Sequence, residues 1–232
     1  MVGTAAWVLL SQPVGPSSPS APLVSFRELW AVLSNRTILL LVVADAGVLD
    51  QYTALTSWLP SFYNETRGLS LSQAGFVTGL LPFVGVFAVL LGGVLPYRFD
   101  SKRGFLIVSG VLVVLGGPAS FLTGNLVGIY LSIITLGIGS WLYVPTLLSL
   151  PMELPGMTPE KVAIVWGFII TAAGFGMFVS PLLVGGLRDI SGSFIPGFAV
   201  SAIAAWALLV AGIFLQPLAS RRSEGRHSDR PN

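Results

Sequence analysis

Between Arg36 and Pro60 the chain reads RTILLLVVADAGVLDQYTALTSWLP, an apolar run interrupted by two carboxylates. About 20 apolar residues, each rising ~1.5 Å in a helix, cross the hydrocarbon core of a bilayer, so this run is long enough to span it. Counted from Arg36, Asp45 and Asp50 lie roughly 14 and 21 Å along such a helix, near mid-membrane. A charged side chain at that depth costs at least about 2.5–3.5 kcal/mol and generally faces a bundle interior or a watery cavity. Gln51 and Tyr52 follow directly. Asp45, Asp50, Gln51 and Tyr52 are therefore candidates for a solute or proton pathway. The structural alternative is an Asp held neutral by a bond to a neighbouring helix.

The two carboxylates are five residues apart, about 140° around a helix, and so cannot form an aspartyl dyad on it. A helical wheel places Asp45 with Leu49 and Tyr52. Asp50 falls with Ala46, Ala54 and Ser57, small residues that let another helix approach. Asp45 is accordingly expected to face a cavity, and Asp50 to be a proton site or an interhelix bond. An ionised carboxylate is disfavoured away from water. Within the spans no basic residue offers itself as a partner, so one of the two could exchange a proton during a transport cycle.

Composition extends the membrane reading to the whole chain. Of 232 residues, 53% are hydrophobic and 9% charged, against about 25% charged in a soluble domain. Mean hydropathy is +0.83. Five further spans are expected at 73–95, 104–123, 126–151, 161–187 and 194–218, joined by loops at 61–72, 96–103, 124–125, 152–160 and 188–193. The two-residue link Gly124-Asn125 makes its flanking spans antiparallel neighbours. The expected organisation is thus a first segment at 1–35, a six-helix bundle at 36–218 and a polar tail at 219–232. In the first segment an apolar stub at 1–10 precedes a Pro/Ser-rich linker and a short amphipathic helix near Phe26–Leu33.

With no cysteine, thiol catalysis and cysteine metal sites are excluded, and His227, the one histidine, stands in the polar tail. The spans hold no nucleophile–base constellation, so no enzyme, cofactor or metal is expected. The net charge of +2 comes from basic residues in short loops and the tail, and points to no nucleic-acid partner. Ten of the twelve Lys and Arg fall on one side of the expected topology, leaving Arg67 and Arg188 on the other. The positive-inside rule then puts both termini in the cytoplasm, in a plasma (inner) membrane for a bacterial chain.

Gly137, Gly139 and Ser140 precede Trp141, Tyr143 and Pro145 in the fourth span. A helix loosened by Gly and interrupted by Pro suits a moving cavity wall, so Trp141 and Tyr143 join the candidates, with Phe175 from the fifth span. Ala172, Gly176 and Ser180 form a small-residue stripe that reads as helix packing. Leu112 is expected to face lipid.

Two loops carry a resemblance. Gly93-Val94-Leu95-Pro96-Tyr97-Arg98-Phe99-Asp100-Ser101-Lys102-Arg103 resembles the short cytoplasmic loop of the major facilitator superfamily, G-x-L-x-D-R-x-G-R-R/K. Gly93, Leu95, Arg98 and Lys102 agree, while Tyr97 stands where the family has Asp and Asp100 where it has Gly. Gly186-Leu187-Arg188-Asp189-Ile190-Ser191-Gly192-Ser193-Phe194 is similar to the G-x-x-x-D-x-[ST]-G-S-[FWY] run between the family's last two helices. That run is frequent in bacterial permeases of organic and inorganic anions, the cyanate permeases among them. Trp58-Leu59-Pro60, Gly68-Leu69-Ser70 and Ala74-Gly75 resemble the junction of helices seven and eight in those permeases.

The resemblance implies an all-α membrane protein of six transmembrane helices in two inverted three-helix repeats, the C-terminal half of a fold with two six-helix halves. In the family the loop charges, here Arg98, Lys102 and Arg103 beside Gly93, latch helix ends, and Asp189 and Gly192 belong to the outer loop. It implies a secondary transporter, or half of one, moving a small solute with anions among the candidates, and a site shared with an N-terminal half or a second copy. Asp45, Gln51 and Tyr52 would lie on the surface that one half alone leaves open to lipid. The alternative is a six-span scaffold or truncated subunit that does not transport without a partner half.

Overall fold

A computed structural model of the chain describes residue 30 and residues 33–95 and 102–215. The first segment up to 29, the middle of the 96–103 loop with Arg98, and the polar tail lie outside the described residues.

Asn35 opens the first span, its side chain accepting a hydrogen bond from the Thr37 N–H at 2.9 Å, which satisfies one of the amides left free at a helix start. Helix α1 then runs Arg36–Arg67, with Pro60 inside it. The expected end at Pro60 is therefore moved by seven residues. Proline removes only one backbone bond, a loss that neighbouring membrane helices absorb, and the next turn has its own anchors. Phe62 and Tyr63 are buried, and the Tyr63 hydroxyl donates to the Ser120 carbonyl at 2.7 Å. The helix ends at Gly68, whose φ of 68° suits a residue without Cβ. A capping box between Ser70 and Gln73 starts α2, Leu71–Val94, so the expected 61–72 loop shrinks to 68–70.

Helix α3 spans Lys102–Leu122 and α4 spans Leu126–Leu142. The fourth span breaks at Tyr143 and continues as α5, Val144–Ser149, and a 3-10 turn, Leu150–Glu153. Pro145 supplies the reason, since it has no N–H to donate to the Trp141 carbonyl one turn back. Helix α6, Pro159–Ser191, is capped by Thr158 and ends at Gly192 with φ 71°. The sixth span is α7, Ile195–Ala204, followed by α8, Trp206–Phe214. Six segments are long and apolar enough to cross a membrane, and no strand occurs among the described residues.

Helix α1 is central and touches every other span. Small residues set the approach distances, as expected where apolar packing against lipid is no driving force between helices. A Cβ on Gly92 of α2 would stand 2.1 Å from the Leu142 carbonyl oxygen, and one on Gly116 of α3 would stand 2.6 Å from the Leu136 nitrogen of α4. The Ala172/Gly176/Ser180 stripe packs as read: a Cβ on Gly176 would lie 3.0 Å from the Ala46 carbonyl oxygen and 3.5 Å from Asp50 Cβ. Leu112, expected to face lipid, is half-buried. Gly139 of α4 rests against its Cβ, 2.8 Å from where a glycine Cβ would be.

Charged residues tie the helix ends. Lys102 pairs with Glu153 and donates to Ser149 Oγ at 3.0 Å, joining α3 to the end of the fourth span. Arg103 donates to the carbonyls of Gly212 and Ile213 at 3.0 and 2.7 Å, capping the negative end of α8. At the opposite end Arg188 donates to both Glu65 carboxylate oxygens at 2.9 and 2.7 Å, and Arg67 donates to the Phe121 carbonyl at 2.8 Å.

Candidate functional site

Asp45 is 6% exposed, and its Oδ1 accepts a 2.7 Å hydrogen bond from the Tyr143 hydroxyl. Tyr143 is fully buried and sits at the break of the fourth span, so the bond links mid-α1 to the point where α4 and α5 meet. The helix-face argument had Asp45 open to a cavity. Instead it makes an interhelix bond, to Tyr143 where the fourth span is interrupted.

Two residues before Tyr143, Trp141 seats its indole on α2. A Cβ on Gly85 would come within 2.5 Å of the Trp141 ring. The half-buried Tyr52 meets that indole edge-on, ring centroids 5.5 Å apart. The Tyr52–Trp141 and Asp45–Tyr143 pairs thus both join α1 to the fourth span, two residues apart along that span. Gln51 joins neither. Its side chain is fully buried against α3, where a Cβ on Gly117 would fall 2.0 Å from Nε2. Neither polar atom of that amide has a partner among the described residues, nor has Trp141 Nε1.

Asp50 belongs to the other side of α1, about 160° from Tyr52. It is half-buried and lines an open cavity of about 620 Å³ between α1, α6 and α7, with Val43, Phe168, Thr171, Phe175 and Ala204 among its walls. Phe175 is therefore brought to Asp50, not to Trp141. A second cavity, about 480 Å³, lies where α5 meets α6, between Pro145, Leu148, Met152, Trp166 and Ile170. There Trp166 Nε1 donates to the Leu148 carbonyl at 3.1 Å. No cluster suited to a metal ion occurs among the described residues.

The described loop-motif residues stand at helix ends. Lys102 and Arg103 make the clamps described above, Gly93 is half-buried at the end of α2, Asp189 is exposed and Gly192 caps α6. Residues 1–181 match the family model of the Major Facilitator Superfamily. The chain belongs to the Major Facilitator Superfamily.

Two curated relatives are similar along most of the chain. A probable sulfoacetate transporter of Cupriavidus necator is 29% identical over 174 residues, 70% of this chain and 39% of the relative. The cyanate transport protein of Escherichia coli is 27% identical over 169 residues, 72% of this chain and 42% of the relative. The chain thus spans less than half the length of either. In fold it is similar to a crystal structure of a bacterial homolog of the human lysosomal transporter Spinster, inward-facing and unoccupied. That match has a TM-score of 0.55 at 20% identity and covers 100% of this chain and 58% of the other.

Several residues that shape the site in this superfamily member escaped the sequence reading. Gly85 and Gly117 seat Trp141 and Gln51, yet nothing in a single sequence distinguishes them from other span glycines. Ser201 of α7 stands beside Asp50 and is fully buried. A hydroxyl one turn beyond Gly197 carries no signal of its own.

Proposed function

We propose that this chain is the C-terminal six-helix half of a secondary transporter and moves a small solute, an organic or inorganic anion, by alternating access, coupled to protons. The observation that carries the proposal is the buried Asp45–Tyr143 bond at the break of the fourth span, beside the Tyr52–Trp141 pair. A carboxylate that can change its protonation state, bonded to the one tyrosine at a helix break, is suited to coupling a proton to movement of a cavity wall. Family membership and the names of the sulfoacetate and cyanate relatives support the solute class.

An anion needs a positive partner. Every Lys and Arg among the described residues stands near a helix end, so the partner would come from a second half. The spare faces support such a half. Only 22% of the best α6 window and 33% of the α2 window are buried, against 56% for α1. Exposed Phe76, Phe83, Phe87 and Phe178 stand on these two helices. The chain would sit in the plasma membrane with both termini cytoplasmic, and no step needs a cofactor or an enzyme's chemistry.

The test is uptake of labelled sulfoacetate or cyanate into proteoliposomes carrying the chain as an assembled complex, with an inward proton gradient imposed. Uptake that collapses when the gradient is dissipated is expected. A folded complex that carries neither solute under any gradient removes the reading, and uptake indifferent to pH removes its proton coupling.

A further inference from the structure

The cavity between α1, α6 and α7 has chemistry that an anion pathway does not use. Asp50 lines it, with Val42, Val43, Ala46 and Gly47 of α1, residues of α6 and Ala204 of α7. No Lys, Arg or His lines it. Phe168 and Phe175 stand on its α6 wall, and Phe175 is 70% exposed. Behind the carboxylate stands the fully buried Ser201, whose hydroxyl is placed to donate to Asp50 and keeps its lone pairs free to accept. Thr171 donates to the Gly167 carbonyl at 2.7 Å, which leaves its oxygen lone pairs able to accept.

Every polar feature of the cavity is thus an acceptor or can act as one. An ionised carboxylate at mid-membrane depth calls for an opposite charge, and faces of aromatic rings attract cations too. An anion is repelled by the same groups. A lipid acyl chain fills the apolar walls and leaves an ionised carboxylate without a counter-charge. A cation carried on an apolar body satisfies both parts, and about 620 Å³ falls within the usual range for a drug-sized ligand, roughly 300–1,000 Å³.

We infer that the α1–α6–α7 cavity is a second binding site, separate from the Tyr52–Trp141 group and selective for lipophilic cations, with Asp50 as the counter-charge and Phe168 and Phe175 as aromatic walls. It lies on the far side of α1 from Tyr52, so a cation can occupy it without entering the path proposed for the anion. The mouth is open and apolar in the chain by itself, with Val43 57% exposed, so a lipophilic cation can reach it.

Tetraphenylphosphonium, which is permanently charged and wholly apolar on its surface, is the probe. Its equilibrium binding is measured with the purified chain in nanodiscs of zwitterionic lipid. Saturable binding is expected, weakened at least about tenfold by Asp50→Asn, which keeps the shape and removes the charge. Asp50→Glu should keep most of the affinity, and Phe175→Ala should lose several-fold of it. Phe178→Leu, an exposed α6 residue outside the cavity, is the control and should bind as wild type. Absence of saturable binding in wild type overturns the inference. So does undiminished binding by an Asp50→Asn protein with an intact melting profile, and so does an equal loss in Phe178→Leu. Binding is read without any solute flux, so a failed uptake experiment leaves this result unaffected.

Discussion

The Tyr143 hydroxyl and the Asp45 carboxylate meet at 2.7 Å in the buried centre of the bundle, joining helix α1 to the break between α4 and α5. The tyrosine is the sole hydrogen-bond donor recorded to that carboxylate among the described residues. Cutting the bond from its two sides therefore gives unequal results. Tyr143→Phe leaves a buried acceptor without its donor and should cost about 1–3 kcal/mol of stability. Asp45→Asn keeps a carbonyl oxygen for the tyrosine and should cost less. Thermal unfolding of both variants in mild detergent checks the order, and a Phe variant as stable as wild type would show that the bond contributes little.

The same pair separates structure from coupling. In an active complex Asp45→Asn should lower pH-driven uptake while expression is kept, because the amide cannot carry the proton. Uptake with wild-type pH dependence in both Asp45→Asn and Asp50→Asn would end the proton-coupling proposal.

Close helix contacts make a sharper stability prediction. Gly117 has Gln51 Nε2 only 2.0 Å from the position of a Cβ, whereas Gly75 has nothing within 4 Å of its own. Gly117→Ala should force the buried amide out of its seat, an overpacking cost of about 1–3 kcal/mol. Gly75→Ala should be neutral or slightly stabilising, since alanine is the better helix former. Equal melting temperatures for the two variants would mean that α1 and α3 can move apart freely.

The six spans, the family and the packing stripe on α6 were legible in the sequence because each rests on a bulk property: apolar length, loop spacing, or small residues one turn apart. The end of α1 was not, because Pro60 is a strong stop signal in water and a weak one where neighbouring helices hold the next turn. The surroundings of the two carboxylates were legible only in part. Helical periodicity separates Asp45 from Asp50 by about 140°, but it cannot say that the fourth span breaks at Tyr143 and delivers a hydroxyl to Asp45. With that bond, Asp50 is left as the carboxylate facing an open cavity. Nor does one sequence show which glycines seat Trp141 and Gln51, since that depends on helices far apart in the chain.

Orientation is tested independently of transport. Reporter fusions after Asn125 should report the outer side, and fusions after Asp100 or Asn232 the cytoplasm, as the distribution of Lys and Arg requires. A cytoplasmic signal at Asn125 would reverse the topology. It would also put the Lys102–Glu153 clamp outside and the Arg188–Glu65 pair within.

Pairing with a second half, or with a second copy of the chain, is the prediction on which the transport proposal most depends. Two halves rocking about a shared midplane site need a surface that one half leaves uncovered, and α2 and α6 are the least buried spans. The chain has no cysteine, so single-Cys variants report contacts without background. Asp45 is unsuited as a reporter, being 6% exposed and bonded within its own chain. Phe83 and Phe87 of α2 and the half-buried Tyr52 are better placed. Cysteines there should cross-link to a partner chain in membranes, while one at Leu115, exposed on α3, should not. A self-pair is expected to be two-fold symmetric, so each position should then react with itself or with a position that in turn reacts with it. Cross-linking at Leu115 alone would place the partner against α3 and away from the Tyr52–Trp141 group. A chain that is monomeric in bilayers and still carries solute would sink the half-transporter proposal.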